Sequence, residues 1–193
     1  EAYKGVPIIA GGVEASLRRI AHYDYWSDKL RRSILMDCKA DLLVFGMGER
    51  GIVEIARRLA AGESLRSLRD MRGVAYRLGA RETPPVEDTI TLPSHEDVVR
   101  DQGAFVDMTR IAHQETNPFN AKRLVQYHDR ECVVVNPPSI PLAQAEMDHV
   151  YGLPFTRKPH PSYGEQSIPA YEVVKDSVQI MRGCFGGCTF CSI

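Results

Sequence analysis

Cys184-Phe185-Gly186-Gly187-Cys188-Thr189-Phe190-Cys191 sets three cysteines at C-x3-C-x2-C spacing within a 193-residue chain. Thiolates are the usual protein ligands of iron–sulfur clusters, and four of them close a ferredoxin site. Three thiolates from one short loop can hold three irons of a cubane [4Fe–4S] cluster. The fourth iron is then open to a substrate or cofactor. Gly186 and Gly187 suit such a loop, because glycine admits positive φ and close backbone approach. The same residues also admit a zinc half-site or three small buried hydrophobes. Zinc sites usually show a second C-x2-C pair or a His pair, and the sequence shows one triplet. A disulfide would leave one cysteine over and would need an oxidising compartment.

A second pattern competes for attention. Gly46-Met47-Gly48-Glu49-Arg50-Gly51 matches G-x-G-x-x-G, with Asp70 about twenty positions on. Two features argue against a dinucleotide site: Glu49 would repel a pyrophosphate, and helix-like sequence precedes Asp70 where a strand is required. The simpler reading is a glycine-rich turn from strand to helix. His22, His95, His113, His128, His149 and His160 form no ligand pattern and read as surface, cap or linker residues.

These residues need a scaffold. Val6 to Ala10 reads as a buried strand closed by Gly11-Gly12, and Glu14 to Ala21 as a helix. After the aromatic break Tyr23 to Trp26, Ser27-Asp28 is expected to cap a helix through Met36. Asp41 to Gly46 is a strand apolar throughout, and Glu49 to Ala61 a helix ended by Gly62. Gly73 to Leu78 can be another strand. This alternation predicts an α/β layer fold with a parallel sheet. Beyond Pro84-Pro85, Ser94 caps one long helix, His95 to about Glu115. Leu124 to Tyr127 and Cys132 to Val135 pair as a hairpin. Pro141 to Val150 is a short helix, and Leu153 to Pro169 a proline-rich connector. Val173 to Met181 is expected to be a strand that delivers the cysteine loop from its C-terminal end, where β/α barrels build active sites.

Hydrophobic residues make up 44% of the chain, charged residues 25%, and the formal net charge is −1. That composition suits an ordinary globular protein and gives no clear signal for nucleic acid or membrane partners. No apolar run reaches transmembrane length and no secretory signal is visible. Five cysteines without a pairing pattern fit a reducing cytoplasm. Glu1 is not an initiator methionine and only two residues follow Cys191, so the chain reads as an internal fragment of a longer protein.

Taken together, "VPIIAGGVEA", "ADLLVFGMGE" and the cysteine triplet resemble radical S-adenosylmethionine (radical SAM) proteins with an N-terminal cobalamin-binding-like domain. The resemblance is closer to the YgiQ-type radical SAM family, through Lys29 to Glu54, Arg130 to Pro141, Leu153 to Tyr163 and Ile180 to Ser192. It implies a Rossmann-like, cobalamin-binding-like domain over residues 1–80, a helix–hairpin insert and connector over 81–172, and the first strand and cluster loop of a partial β/α (TIM-like) barrel over 173–193. It also implies Cys184, Cys188 and Cys191 as ligands of a [4Fe–4S] cluster, with Phe190 beside the cluster and S-adenosylmethionine. The reduced cluster would cleave S-adenosylmethionine to a 5′-deoxyadenosyl radical that abstracts hydrogen from an unknown substrate. No catalytic residue beyond the cluster is identified. An electron donor such as flavodoxin or ferredoxin is implied. The family's S-adenosylmethionine contacts lie mostly beyond the triplet, so this chain alone is not expected to turn over. The D-x-H-x-x-G pattern of a cobalamin-ligating His is not present, which argues against cobalamin. The competing reading is a non-catalytic α/β ligand- or nucleotide-binding module with a structural metal triplet.

Overall fold

A computed structural model describes residues 5–179 and Arg182. They fall into two compact units, one up to Pro141 and one from Leu142. The first is an α/β layer structure, as the sequence predicts. Its eight strands are β1 (Ile9–Ala10), β2 (His22–Asp24), β3 (Lys29–Arg31), β4 (Leu42–Val44), β5 (Val74–Leu78), β6 (Thr89–Thr91), β7 (Arg123–His128) and β8 (Glu131–Val135). Its helices are α1 (Gly12–Leu17), α2 (Ile34–Cys38), α3 (Glu49–Ala60), α4 (His95–Arg100) and α5 (Gln102–Gln114). Six strands form one sheet in the order β1-β4-β5-β8-β7-β6. Residues 81–141, read from the sequence as part of an insert, supply β6, β7 and β8 to that sheet.

The sheet is mixed. β1 and β4 pair in parallel at one edge, and β6 and β7 at the other, each through a helical crossover. The three central pairs, β4–β5, β5–β8 and β8–β7, are antiparallel. The parallel pairing expected from strand–helix alternation holds between β1 and β4, whereas β5 runs antiparallel to β4. α3 carries the chain away from the end of β4, but residues 61–73 then return to that same end. Phe45 N–H donates to Gly73 O at 3.0 Å, so β5 starts where β4 stops and runs back.

Strand side chains alternate between two cores. Leu43, Ala75, Val133 and Val135 face one layer, packed under Ala15 of α1, Leu35 and Met36 of α2, Val98 of α4 and Met108 of α5. Leu42, Val44, Val74, Tyr76 and Val134 face the other, packed under Ile55 of α3 and Leu68 of a 3₁₀ turn at Ser67–Asp70. β4 is buried on both faces, which is why it reads as an unbroken apolar run.

Three expected elements differ. The helix expected from Ser27 is a two-stranded hairpin, β2–β3, followed by the short helix α2. The Asp24 carboxylate accepts from Trp26 N–H and the Ser27 hydroxyl, which closes a turn, and Ser33 is the residue that caps α2. The long helix from His95 breaks at Asp101, whose carboxylate accepts from Gly103 and Ala104 N–H and caps a second helix. In the second unit, α6 (Gln144–Tyr151) is the short helix expected over Pro141 to Val150. Val173 and Val174, expected to open a strand, close α7 (Pro169–Val174), which starts with proline at its first turn.

Candidate functional site

The two glycine turns meet at one place. β1 and β4 are parallel neighbours, and Gly11-Gly12 and Gly46–Gly48 leave their C-terminal ends. The helices that follow go to opposite faces, α1 to one core and α3 to the other. A crevice at such a reversal is where open α/β sheets hold ligands. Gly46 N–H donates to the Ser16 hydroxyl at 3.3 Å and ties the second turn to α1.

Gly48 and Gly51 have a packing reason of their own. A Cβ on Gly48 would lie 3.2 Å from Val44 Cγ1, and one on Gly51 3.4 Å from the same atom. These glycines let α3 lie down on β4. Asp70 ends a 3₁₀ turn, where it pairs with Arg58 at 3.0 Å, and the strand after it is antiparallel. The G-x-G-x-x-G match thus lacks the parallel β-α-β unit that gives the dinucleotide fingerprint its meaning.

On the α3 face a cleft of about 310 Å³ is bordered by Arg50, Arg58, Asp70, Arg72 and Ile140. Its cations are committed. Arg58 bonds Glu63, Asp70 and Ser67 O, and those carboxylates raise its pKa further above the ordinary guanidinium value. Arg50 donates to Ile140 O at 2.8 Å, and Arg72 to Pro138 O at 3.0 Å and to Pro118 O. Buried Asn136 adds bonds to Arg69 O and Met71 O, and Gly73 N–H donates to Pro137 O at 2.8 Å. The groups lining this cleft fasten residues 136–141 as the chain leaves the sheet.

Cys184, Cys188 and Cys191, with Gly186, Gly187 and Phe190, lie outside the described residues. Arg182, two positions before the triplet, is described. Its Nε donates to the Tyr151 hydroxyl at 3.3 Å, and its guanidinium lies over the Tyr151 ring, 5.2 Å from the centroid. The same hydroxyl donates to Gln179 Oε1 at 2.8 Å. Tyr151, at the end of α6, therefore holds the approach to the triplet at two points. Sequence pattern gave no sign of this, because the partners are 28 and 31 residues apart.

Among the described residues no group of three or more His, Cys, Asp or Glu is placed to hold a metal. Cys38 is exposed and single, and Cys132 is buried, with its thiol pKa pushed up to about 11 by burial. The histidines hold one correction. His128 is 2% exposed, not a surface residue, because it ends β7 beneath α4. Its ring lies 5.6 Å from that of His95, and its pKa falls to about 4 because burial disfavours the imidazolium. His160 accepts from Ser162 N–H as a cap, as expected.

The family model described as Radical SAM N-terminal matches residues 1–177. A UPF0313 protein of Rhodopseudomonas palustris is 54% identical over 211 residues, an alignment covering 100% of this chain and 31% of the relative. One of Geobacter sulfurreducens is 53% identical over 193 residues, covering 100% and 32%. One of Pseudomonas aeruginosa is 44% identical over 251 residues, covering 100% and 34%. The chain thus spans about a third of the length of these curated relatives. No solved structure matches it. Among the described residues no helix is long and apolar enough to cross a membrane. With the α/β layers in place, these matches show that the chain belongs to the radical SAM N-terminal family, in its YgiQ-type branch.

Proposed function

We propose that the polypeptide containing this chain is a radical SAM enzyme acting on a substrate yet to be identified. The observation that carries this is the C-x3-C-x2-C triplet in a chain matched by the Radical SAM N-terminal family. The donor set fits a [4Fe–4S] cluster: three thiolates spaced within one short stretch of chain can hold three of its irons. Cys184, Cys188 and Cys191 would hold it, with Phe190 beside them. When bound, the reduced cluster supplies the electron that cleaves S-adenosylmethionine to a hydrogen-abstracting 5′-deoxyadenosyl radical.

The chain's own residues then have separate tasks. The sheet unit gives a rigid exit at Asn136, fixed by its bonds to Arg69 O and Met71 O. Tyr151 orients Gln179 and Arg182 just ahead of the first cysteine.

The test is anaerobic reconstitution of the full-length protein with iron and sulfide. About four irons and four sulfides per chain are expected, with an EPR signal on reduction that changes when S-adenosylmethionine is added. Cys184→Ala, Cys188→Ala and Cys191→Ala should each lose that signal. A colourless protein holding stoichiometric zinc would overturn the reading, and a single variant that keeps the full signal would remove that cysteine from the ligand set.

A further inference from the structure

The β2–β3 hairpin carries the chain's only tryptophan. Trp26 is 90% exposed and Tyr25 77%, and their rings stand edge to face with centroids 5.9 Å apart. Single exposed apolar residues are ordinary. Adjacent, exposed aromatic rings at the turn of a hairpin are the composition of a binding hot spot.

The tip is held in one shape. The Asp24 carboxylate accepts from Trp26 N–H at 3.2 Å, the Ser27 hydroxyl at 2.7 Å and Arg31 Nε at 3.1 Å. The Tyr23 hydroxyl donates to Asp28, which sits in the left-handed region at φ 51°. The base is pinned as well. Ala21 N–H donates to buried Gln126 at 2.7 Å, and the Ser33 hydroxyl to Arg19 O at 2.7 Å. A hairpin with three residues per strand has little stability of its own, so these bonds fix the display. An aromatic anchor that is already ordered loses little freedom on docking.

We propose that the Tyr25–Trp26 tip docks on the remaining part of the same polypeptide, the portion beyond the third of the relatives' length that this chain spans. Three observations select that occupant. Two rings bury about 150–250 Å² each, far below the roughly 1,200–2,000 Å² of a stable complex between free proteins. An attached domain docks at an effective concentration on the order of millimolar, so a small anchor suffices. Finally, the tip places Asp24 and Asp28 beside Lys29 and Arg31, with Arg31 already paired to Asp24. Two carboxylates thus balance two cations, and the tip lacks the net positive charge that a nucleic acid or an anionic membrane selects. The proposal needs the longer polypeptide but not the cluster chemistry.

The test is hydroxyl-radical footprinting of the full-length protein, read residue by residue by mass spectrometry, with and without reconstituted cluster. Trp26 is expected to react roughly tenfold more slowly than in the urea-unfolded protein, as a covered hot-spot ring should. Phe119, 76% exposed, serves as the open reference and should react near its unfolded rate. The protection should be the same at every protein concentration. Trp26→Ser should raise hydrogen exchange in a segment outside these 193 residues. Full reactivity of Trp26 overturns the proposal, and protection that grows with concentration assigns the tip to a second copy instead. Protection with no segment responding to Trp26→Ser overturns it too. Because apo protein is measured alongside, failure of the cluster reading leaves this result standing.

Discussion

The two units are built by different physics. In the first, side chains on both faces of the sheet are buried, and Leu35, Leu43, Val74 and Val133 are 0% exposed. In the second, no described side chain from Leu142 onward is buried. Its order comes from local polar bonds: Glu146 reaching back to Ala143 N–H, His160 capping Ser162, Tyr151 gripping Gln179 and Arg182. Burial is cooperative, whereas local bonds exposed to water open one at a time. The chain thus carries its residues of chemical interest after the segment least stabilised by its own core. A stiff scaffold leads into a segment whose geometry other contacts can set.

Hydrogen exchange on this chain gives the widest separation. Amides of β4, β5 and β8 should exchange only through global opening, while those of residues 153–179 should exchange through local opening, orders of magnitude faster. Equal protection in both regions would erase the distinction.

The sheet unit should answer to cavities. Leu43→Ala deletes a side chain 0% exposed between β4 and the α1–α2 layer, at a cost of about 2–5 kcal/mol. A urea midpoint reads this directly. Leu153→Ala, at a residue 43% exposed, should shift the midpoint by at most about 0.5 kcal/mol. A comparable loss at both positions would mean that the second unit has a core of its own.

Sequence legibility follows the same divide. β4 was readable because burial on both faces leaves a continuous apolar run, and α3 because Gly51, Ile55 and Leu59 recur every four residues, with Gly62 at φ +85° behind them. The direction of β5 was not readable, since it depends on the return path of residues 61–73 and not on side-chain pattern. The hairpin was missed because Ser27-Asp28 resembles a helix cap, and the competing claim of Asp24 on the same groups is a matter of geometry. The cysteine triplet was legible because its three residues lie close together in the sequence. The contacts of Tyr151 and the pairing of His95 with His128 were not, since each joins residues far apart in the chain.

His128 offers a titration that belongs to the first unit alone. His95, Glu96, Arg32 and Asp37 are the charged or titratable groups that act on it. Its folded pKa lies near 4, against 6.5 ordinarily. Between those values the unfolded chain binds the extra proton, so stability is complete above pH 6.5 and falls as pH drops toward 4. The loss should reach roughly 2–4 kcal/mol, at 1.36 kcal/mol per unit. His128→Asn should flatten the urea midpoint between pH 6.5 and 4.5 relative to the unaltered chain. Parallel curves for the two proteins would mean that His128 does not control this range.

The smallest expected effect on stability falls at Tyr151. Tyr151→Phe keeps the ring under the Arg182 guanidinium and removes the hydroxyl that joins Gln179 and Arg182. Tyr151 is 40% exposed, so water replaces the lost bonds and the urea midpoint should move by no more than about 0.5 kcal/mol. The consequence should instead be local. Exchange at the amides of residues 177–182 should rise, while β4, β5 and β8 are unchanged. In the reconstituted full-length protein the same variant should broaden the EPR signal by loosening the approach to Cys184. Tyr151→Leu, which also removes the aromatic face, should extend both changes. If Tyr151→Phe lowered global stability by several kcal/mol, the second unit would be part of the cooperative core. If it altered neither exchange nor spectrum, the order of the approach would come from contacts other than the Tyr151 hydroxyl.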